Sequence, residues 1–422
     1  MRLSVEQLAS FGEDGGLVHF VDTAFLSDNP DRVGVAVSGG GDSMALLHLA
    51  HCRAGLAGTT VEAVTIDHGL RAAAVDEAAM VADFCARRGI PHQTIRWDGT
   101  SAQGNLAAAG RDARYALIAD WAKARDIGHV LLGHTEDDVA ETFLMRLARK
   151  SGVDGLAMMD FRFEREGIVW ARPLWQQTRA QLRDYLRRHD IVWADDPTNE
   201  DDNYERPKAR KALAALVRLG ITTQTLKSVA LNMSGARSAL EHYTHEEARR
   251  LVTIESGDVV IACRPRPPVP SEVERRLWVA ALQFIGQSKH APRFSAMIDL
   301  HAGLNLTGKH TLAGCVVTQD DEALRFMREP NAVAGMVSAL DTLWDGRWQI
   351  DGPHAPQLQV RALGEHIKDV PDWRETGLPR TSLMASPAVF DGDALIAAPV
   401  AGLQNGFEAR IVPDFASFLL SR

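Results

Sequence analysis

The sequence predicts an α/β protein: a doubly wound parallel sheet in an N-terminal domain, then a helical linker and two smaller C-terminal domains. Three observations predict it. From about residue 30 to 200, short β-branched runs alternate with segments whose apolar residues recur at helical spacing, as in a parallel sheet covered by helices on both faces. Each run stops in a polar or glycine-rich segment, and ligands of such sheets sit beyond the carboxyl ends of the strands. After Lys211 the texture changes, first to a long helical stretch and then to scattered strand-like pieces. With 422 residues the chain exceeds what one hydrophobic core organises. The expected domains are 1–215, 216–330 and 331–422.

In order, the expected strands are 33–37, 61–66 and 129–133, and the helices between them carry Met44, Leu46, Leu47 and Leu49, then Met80, Val81 and Phe84. Helical pattern continues from Leu213 to about Arg250 and stops before Arg264-Pro265-Arg266-Pro267-Pro268-Val269-Pro270, which reads as a loop or linker. Ser271 reads as an N-cap followed by an acidic first turn, Glu272 and Glu274. Beyond it, 311–317 reads as one strand, and Trp348-Gln349-Ile350 and 394–398 as further strand pieces. No internal repeat or low-complexity tract stands out.

The composition, 45% hydrophobic and 24% charged, is that of a globular chain. No stretch approaches the roughly 18 to 20 apolar residues of a membrane span, and the start lacks a secretory apolar core. A cytoplasmic protein without a membrane partner is expected, as a monomer or homodimer. Cys52, Cys85, Cys263 and Cys315 form no C-x-x-C pair, which speaks against a metal knuckle or redox dithiol and for reduced thiols. The net charge of −9 argues against a nucleic-acid partner only on average. Basic clusters stand at Arg87-Arg88, Arg146 with Arg149-Lys150, Arg183 with Arg187-Arg188, and between Arg206 and Lys211. Each could meet phosphate or be a solvated helix face.

Ser38-Gly39-Gly40-Gly41-Asp42-Ser43 follows the first strand and opens a helix, so backbone N–H groups and a helix N-terminus surround one concavity, an anion site. The glycines let phosphate oxygens approach the backbone. The P-loop pattern needs a lysine where Asp42 stands, and Met44 occupies the place of the third small residue of a dinucleotide fingerprint. An acidic residue among phosphate donors makes sense as a ligand of Mg²⁺ bridging to the phosphates.

Ser38 to Ser43 match the S-G-G-x-D-S loop of the N-type ATP pyrophosphatases, the PP-loop or adenine nucleotide α-hydrolase-like superfamily. Further segments resemble the tRNA(Ile)-lysidine synthase family: Thr65-Ile66-Asp67-His68-Gly69-Leu70-Arg71; Arg111-Asp112-Ala113-Arg114-Tyr115; Gly133-His134-Thr135-Glu136-Asp137-Asp138-Val139-Ala140-Glu141-Thr142; Arg172-Pro173-Leu174; and Asp196-Pro197-Thr198-Asn199 followed by Arg206 and Arg210. The matches span about residues 38 to 210. Three positions depart: Ala107 stands where the family usually has a glutamate, Gly110 where it has the alanine before Arg111, and Pro207 where it has an asparagine after the arginine.

The resemblance implies ATP and Mg²⁺ as cofactors, with an isoleucine tRNA bearing a CAU anticodon and free L-lysine as partners. Adenylation of the wobble cytidine would precede displacement of AMP by the lysine amine. It further implies that Ser38, Gly39, Gly40, Gly41, Asp42, Ser43, Ile66 and His68 hold the nucleotide and that Asp42 holds the metal. Asp42, Asp137, Glu141 and His134 are then expected to be catalytic, and Arg111, Arg114, Asp138, Arg172, Arg206 and Arg210 to bind substrate. The smaller C-terminal domains would grip the tRNA.

The residues have readings of their own. On a helix His134, Asp138 and Glu141 share one face and Asp137 pairs with Glu141. Such carboxylates could orient an ammonium, accept its proton or bond the exocyclic amine of cytosine; a solvated acidic helix start would look the same. The rival activities are a tRNA thiolase, a small-molecule amide ligase and a non-catalytic tRNA-binding protein.

Overall fold

The computed structural model describes residues 2–24, 30–67, 73–97, 106–195, 205–263 and 269–420. The chain divides into two compact units, Met1–Arg237 and Ser238–Arg422.

The first unit begins with α1 (Val5–Ala9) and α2 (Gly15–Thr23) and then alternates: β1 (Arg32–Ala36), α3 (Gly41–Ala57), β2 (Thr60–Asp67), α4 (Ala73–Arg88), β3 (His92–Arg96), α5 (Leu106–Lys123), β4 (His129–Leu132) and α6 (Glu136–Ala148). The short α7 (Val153–Leu156), β5 (Arg162–Arg165), β6 (Ile168–Ala171), α8 (Arg179–Arg188), α9 (Glu205–Leu216) and α10 (Thr223–Leu251) follow, the last running past the division. Among the described residues the sheet has six strands in the order β3-β2-β1-β4-β6-β5, all parallel except the edge pair β5–β6. The doubly wound α/β expectation holds.

Apolar side chains on both sides of each central strand explain why helices cover both faces. Val33 and Val35 of β1 bury into one core with Met44, Leu46, Leu47 and Leu49 of α3, Val81 and Phe84 of α4 and Leu182 and Leu186 of α8. Val64 of β2, Val130 and Leu132 of β4 and Trp170 of β6 bury into the other with Tyr115, Ile118 and Trp121 of α5. The periodicity revealed the three central strands but neither β3 nor the β5–β6 hairpin. His92-Gln93-Thr94-Ile95-Arg96 and Arg162-Phe163-Glu164-Arg165 are edge strands, half-buried to exposed, and carry no apolar run.

His48, in the middle of α3, lies with its Nδ1 2.6 Å from the Tyr185 hydroxyl of α8. Burial, and after it the charges of Arg88, His189 and His51, pushes its pKa down to about 4, Asp14 opposing. The fold therefore favours the neutral ring. That contribution is complete above the unfolded value of 6.5 and is lost as the pH falls from there through 4. His48→Gln is expected to flatten the fall of melting temperature across that interval; an unchanged slope would contradict the assignment.

The second unit carries β7 (Val252–Glu255) and β8 (Asp258–Ala262), joined by Ser256-Gly257 with both φ positive, the geometry of a two-residue hairpin turn. Next come α11 (Ser271–Gly286), α12 (Phe294–Thr307), β9 (Lys309–Leu312), β10 (Cys315–Gln319) and β11 (Ala323–Arg328). Among the described residues these strands form a five-stranded sheet, β7-β8-β11-β10-β9, packed on Leu277, Ala281 and Phe284 of α11. Then α13 (Pro330–Val333), β12 (Val337–Ser338), β13 (Trp348–Asp351), β14 (Leu358–Ala362), α14 (Arg380–Met384), β15 (Pro387–Asp391), β16 (Ala394–Ala397), β17 (Glu408–Ile411) and α15 (Phe415–Leu420) complete the chain. They contribute a four-stranded sheet, β12-β14-β15-β16, and the pair β13–β17. We retain three domains with limits near 215 and 330 as a proposal.

Two local expectations are corrected. The single strand expected at 311–317 is a hairpin, because Ala313 and Gly314 adopt positive φ and turn the chain back on itself. Ser271 is not a cap: α11 starts on it, Pro270 holds the cap position and no side chain caps the helix, although the acidic first turn is present. The proline-rich stretch 264–268 lies outside the described residues. All four cysteines are free, and burial pushes the Cys85 thiol up to about 11. Among the described residues no helix is long and apolar enough to cross a membrane.

Candidate active site

β1 lies between β2 and β4 in the sheet, so the chain leaves it towards one neighbour and later returns on the other side. That reversal opens a crevice at the strand ends. The loop after β1 enters it with Gly39 at φ +87°, a conformation glycine adopts without strain. α3 then starts at Gly41 with Gly40 as its cap. Ser43 closes the turn: its hydroxyl donates to the Gly40 carbonyl at 2.9 Å and accepts from the Ser38 N–H at 3.1 Å, and lies 3.2 Å from the Ser38 hydroxyl. Gly133, at the end of β4, lets this turn sit close, since a Cβ there would stand 3.1 Å from the backbone of Asp42 and Ser43.

A cavity of about 460 Å³ fills the crevice. The loop contributes Ser38, Gly40, Gly41, Asp42 and Ser43; β2 contributes Val64, Thr65 and Ile66; β4 and the residues after it contribute Leu132, Gly133 and His134. Glu77, Arg114, Asp138, Arg179, Arg183, Asp195, Arg206 and Arg210 also line it. Backbone amides of a 17-residue helix stand at one end, and five arginines share the rest with Asp42, Glu77, Asp138 and Asp195, so the cavity offers donors for an anion.

Behind the loop stands a cluster of opposite charges. Thr135 caps α6 in a capping box with Asp138, whose Oδ2 accepts from the Thr135 N–H and hydroxyl, both at 2.9 Å. The other carboxylate oxygen, Oδ1, accepts from Arg179 Nη2 at 2.8 Å and faces Arg206 Nη1 at 3.6 Å. Glu141, fully buried, accepts from Arg179 and from Arg210 Nε at 2.7 Å. Arg179 also reaches Asp42, Nε to Oδ2 3.2 Å, and donates its backbone N–H to Asp137 at 2.8 Å.

The electrostatics follow from burial against pairing. Burial pushes Asp42 up to about 6, Arg179 pulling the other way. For Asp138 burial also opposes the charge, but Arg179, Arg206 and the Thr135 N–H together hold it below the usual carboxylate range. His134 is pushed down to about 3 by burial, and its Nδ1 has no hydrogen-bond partner among the described residues. It is a neutral ring at physiological pH.

Residues 17–217 match the family model of the PP-loop domain. The tRNA(Ile)-lysidine synthase of Ruegeria pomeroyi is 44% identical over 409 residues, covering 96% of this chain and 98% of that one. The chain belongs to the tRNA(Ile)-lysidine synthase family. It is thus an enzyme, a ligase with a PP-loop domain. The relative from Wolbachia pipientis wMel is 33% identical over 80% of this chain and 83% of its own. Among solved structures, a U34-tRNA thiolase from Methanococcus maripaludis with its [4Fe-4S] cluster aligns at 14% identity over 52% of this chain and 78% of that one, with a TM-score of 0.44. That likeness is too loose to bear on function.

The family signature residues are not all brought together. Ser38, Gly40, Gly41, Asp42, Ser43, Ile66, Arg114, His134, Asp138, Arg206 and Arg210 line the cavity. Gly39 is buried and its carbonyl accepts the Ala194 N–H at 2.9 Å. Asp137 and Glu141 stand behind the lining, bound to Arg179. Arg111 is exposed, near Tyr115. Arg172 is buried, its guanidinium 4.3 Å from the Phe163 ring centre and donating to the Asp160 carbonyl. His68 and the 196–199 segment lie outside the described residues. His134 precedes α6 rather than sharing its face, because Thr135 takes the cap. Nor is the acidic start of α6 a solvated one: Glu136, Asp138 and Glu141 are buried, and Glu136 is paired with Lys227. Pro207 falls in the first turn of α9, where proline is tolerated.

Sequence reasoning missed Arg179. A signal was present. Thr178 and Gln181 form a capping box that places Arg179 at the first position of α8, where a cation opposes the helix dipole. Such a placement calls for nearby anions, and Asp42, Asp138 and Glu141 supply them.

Proposed function

We propose that the protein ligates free lysine to C2 of the wobble cytidine of an isoleucine tRNA with a CAU anticodon, consuming ATP and releasing AMP and pyrophosphate. One observation carries the reading: the glycine loop and the ends of β2 and β4 face the same cavity as Arg114, Arg206 and Arg210, so nucleotide and an RNA base could meet there. The names of the relatives support the acceptor.

In the first step the cytosine O2 attacks the α-phosphorus and the pyrophosphate leaves, its charge met by the amides at the start of α3 and by the Ser38 and Ser43 hydroxyls. In the second the deprotonated lysine amine attacks C2, and the bond from C2 to O2 breaks as AMP departs. The cytidine must be turned out of the anticodon stack to enter. Asp137 and Glu141 hold Arg179 beside the loop, and as carboxylates either could take the lysine proton.

With Arg179 occupying Asp138 and Glu141, the donor set fits Mg²⁺ only in company with phosphates. Among the described residues no three His, Cys, Asp or Glu side chains are grouped to hold a metal, and Mg²⁺ commonly needs just one or two carboxylates beside substrate phosphates. Asp42, at the cavity wall, is the carboxylate we assign. The ion would offset phosphate charge. The C-terminal domains are proposed to hold the tRNA.

Incubation with radiolabelled lysine, ATP, Mg²⁺ and unmodified tRNA tests the reading. Label in the RNA is expected. Pyrophosphate release that depends instead on a small acid and an amine donor, with no labelled RNA, would overturn it.

A further inference from the structure

We infer that Arg179 is a positioning residue of the nucleotide site: it is the built-in counter-cation of Asp42, which a divalent cation arriving with phosphates replaces there while Asp138 and Glu141 keep the guanidinium beside the loop. This rests on the proposed role of Asp42 as metal ligand and goes one step past it.

The contacts of Arg179 are unequal. Its terminal nitrogens bond Asp138 and Glu141, and its backbone N–H bonds Asp137 at 2.8 Å. Only Nε faces Asp42, at 3.2 Å. The side chains of Asp138 and Glu141 are 7% and 1% exposed, whereas that of Asp42 is 25% exposed and on the cavity wall. The link to Asp42 is therefore the one that can be exchanged without moving α8. Its loss leaves the other anchors in place.

Charge points the same way. Glu141 is shared with Arg210 and Asp138 with Arg206, but Arg179 is the ion-pair partner of Asp42 among the described residues. The carboxylates of Asp42, Asp138 and Glu141 surround the Arg179 guanidinium. A cation at the start of α8 would otherwise be repelled by the helix dipole. The arrangement gives Asp42 a counter-charge and presents it to the cavity.

Thermal melting of the nucleotide-free protein with and without millimolar Mg²⁺ tests this. The natural protein should respond little to Mg²⁺. Arg179→Gln should melt roughly 10 °C lower and recover most of that loss in Mg²⁺, and the recovery should vanish when Asp42→Asn is added. Should Arg179→Gln not fold, Arg179→Lys, which keeps the charge but not the fork that spans three carboxylates, should show a smaller Mg²⁺ recovery that again depends on Asp42. Destabilisation without Mg²⁺ recovery in either variant, or recovery that survives Asp42→Asn, overturns the inference. Failure of the metal reading itself shows separately, as pyrophosphate release that survives Asp42→Ala.

Discussion

Asp42→Ala should lower ATP-dependent pyrophosphate release by about 10³-fold, the loss typical of removing one preorganised electrostatic group, while leaving tRNA binding intact. The variant should still fold. Asp42 is at the cavity wall, and Arg179, its partner at 3.2 Å, keeps Asp138 and Glu141. A pyrophosphate assay beside a tRNA retention assay and a melting curve separates the outcomes. Release that persists would remove Asp42 from the metal role; loss of tRNA binding in parallel would point to a collapsed site.

Glu141→Gln should destabilise the first unit by about 3–5 kcal/mol, the cost of breaking a buried ion pair from one side. Glu141 is fully buried between Arg179 of α8 and Arg210 of α9, so neutralising it leaves two guanidinium groups short of a counter-charge. Both arginines line the cavity, and a misplacement of about 1 Å can cost about 10²-fold in rate. Denaturant unfolding and steady-state kinetics of the same variant check the two effects. Unchanged stability would mean that Asp138 and Asp42 suffice to hold Arg179.

The central strands and the glycine loop were legible because each rests on local rules. Val33 and Val35 alternate with residues that face the other core, and Gly39, Gly40 and Gly41 mark a turn that side chains would obstruct. β3 and β5 were not, since edge strands gain little from burial and their sequences carry no apolar signature. The bend at Ala313-Gly314 was hidden because Ala313 takes a positive φ that its residue type does not announce. The carboxylates of α6 were singled out, but their burial was not, because three acids in one turn look solvated until their cations are located.

The sequence by itself determined the nucleotide loop, the doubly wound class and the resemblance to one family, each read from short segments whose residues are neighbours along the chain. Only the tertiary structure decided which signature residues meet. Arg179 lies 137 residues from Asp42 and 38 from Glu141, and no local rule specifies ion pairs across such separations. They form because the starts of α3 and α8 meet α6 at the site, where burial raises the cost of every unpaired charge and makes pairing the condition for folding.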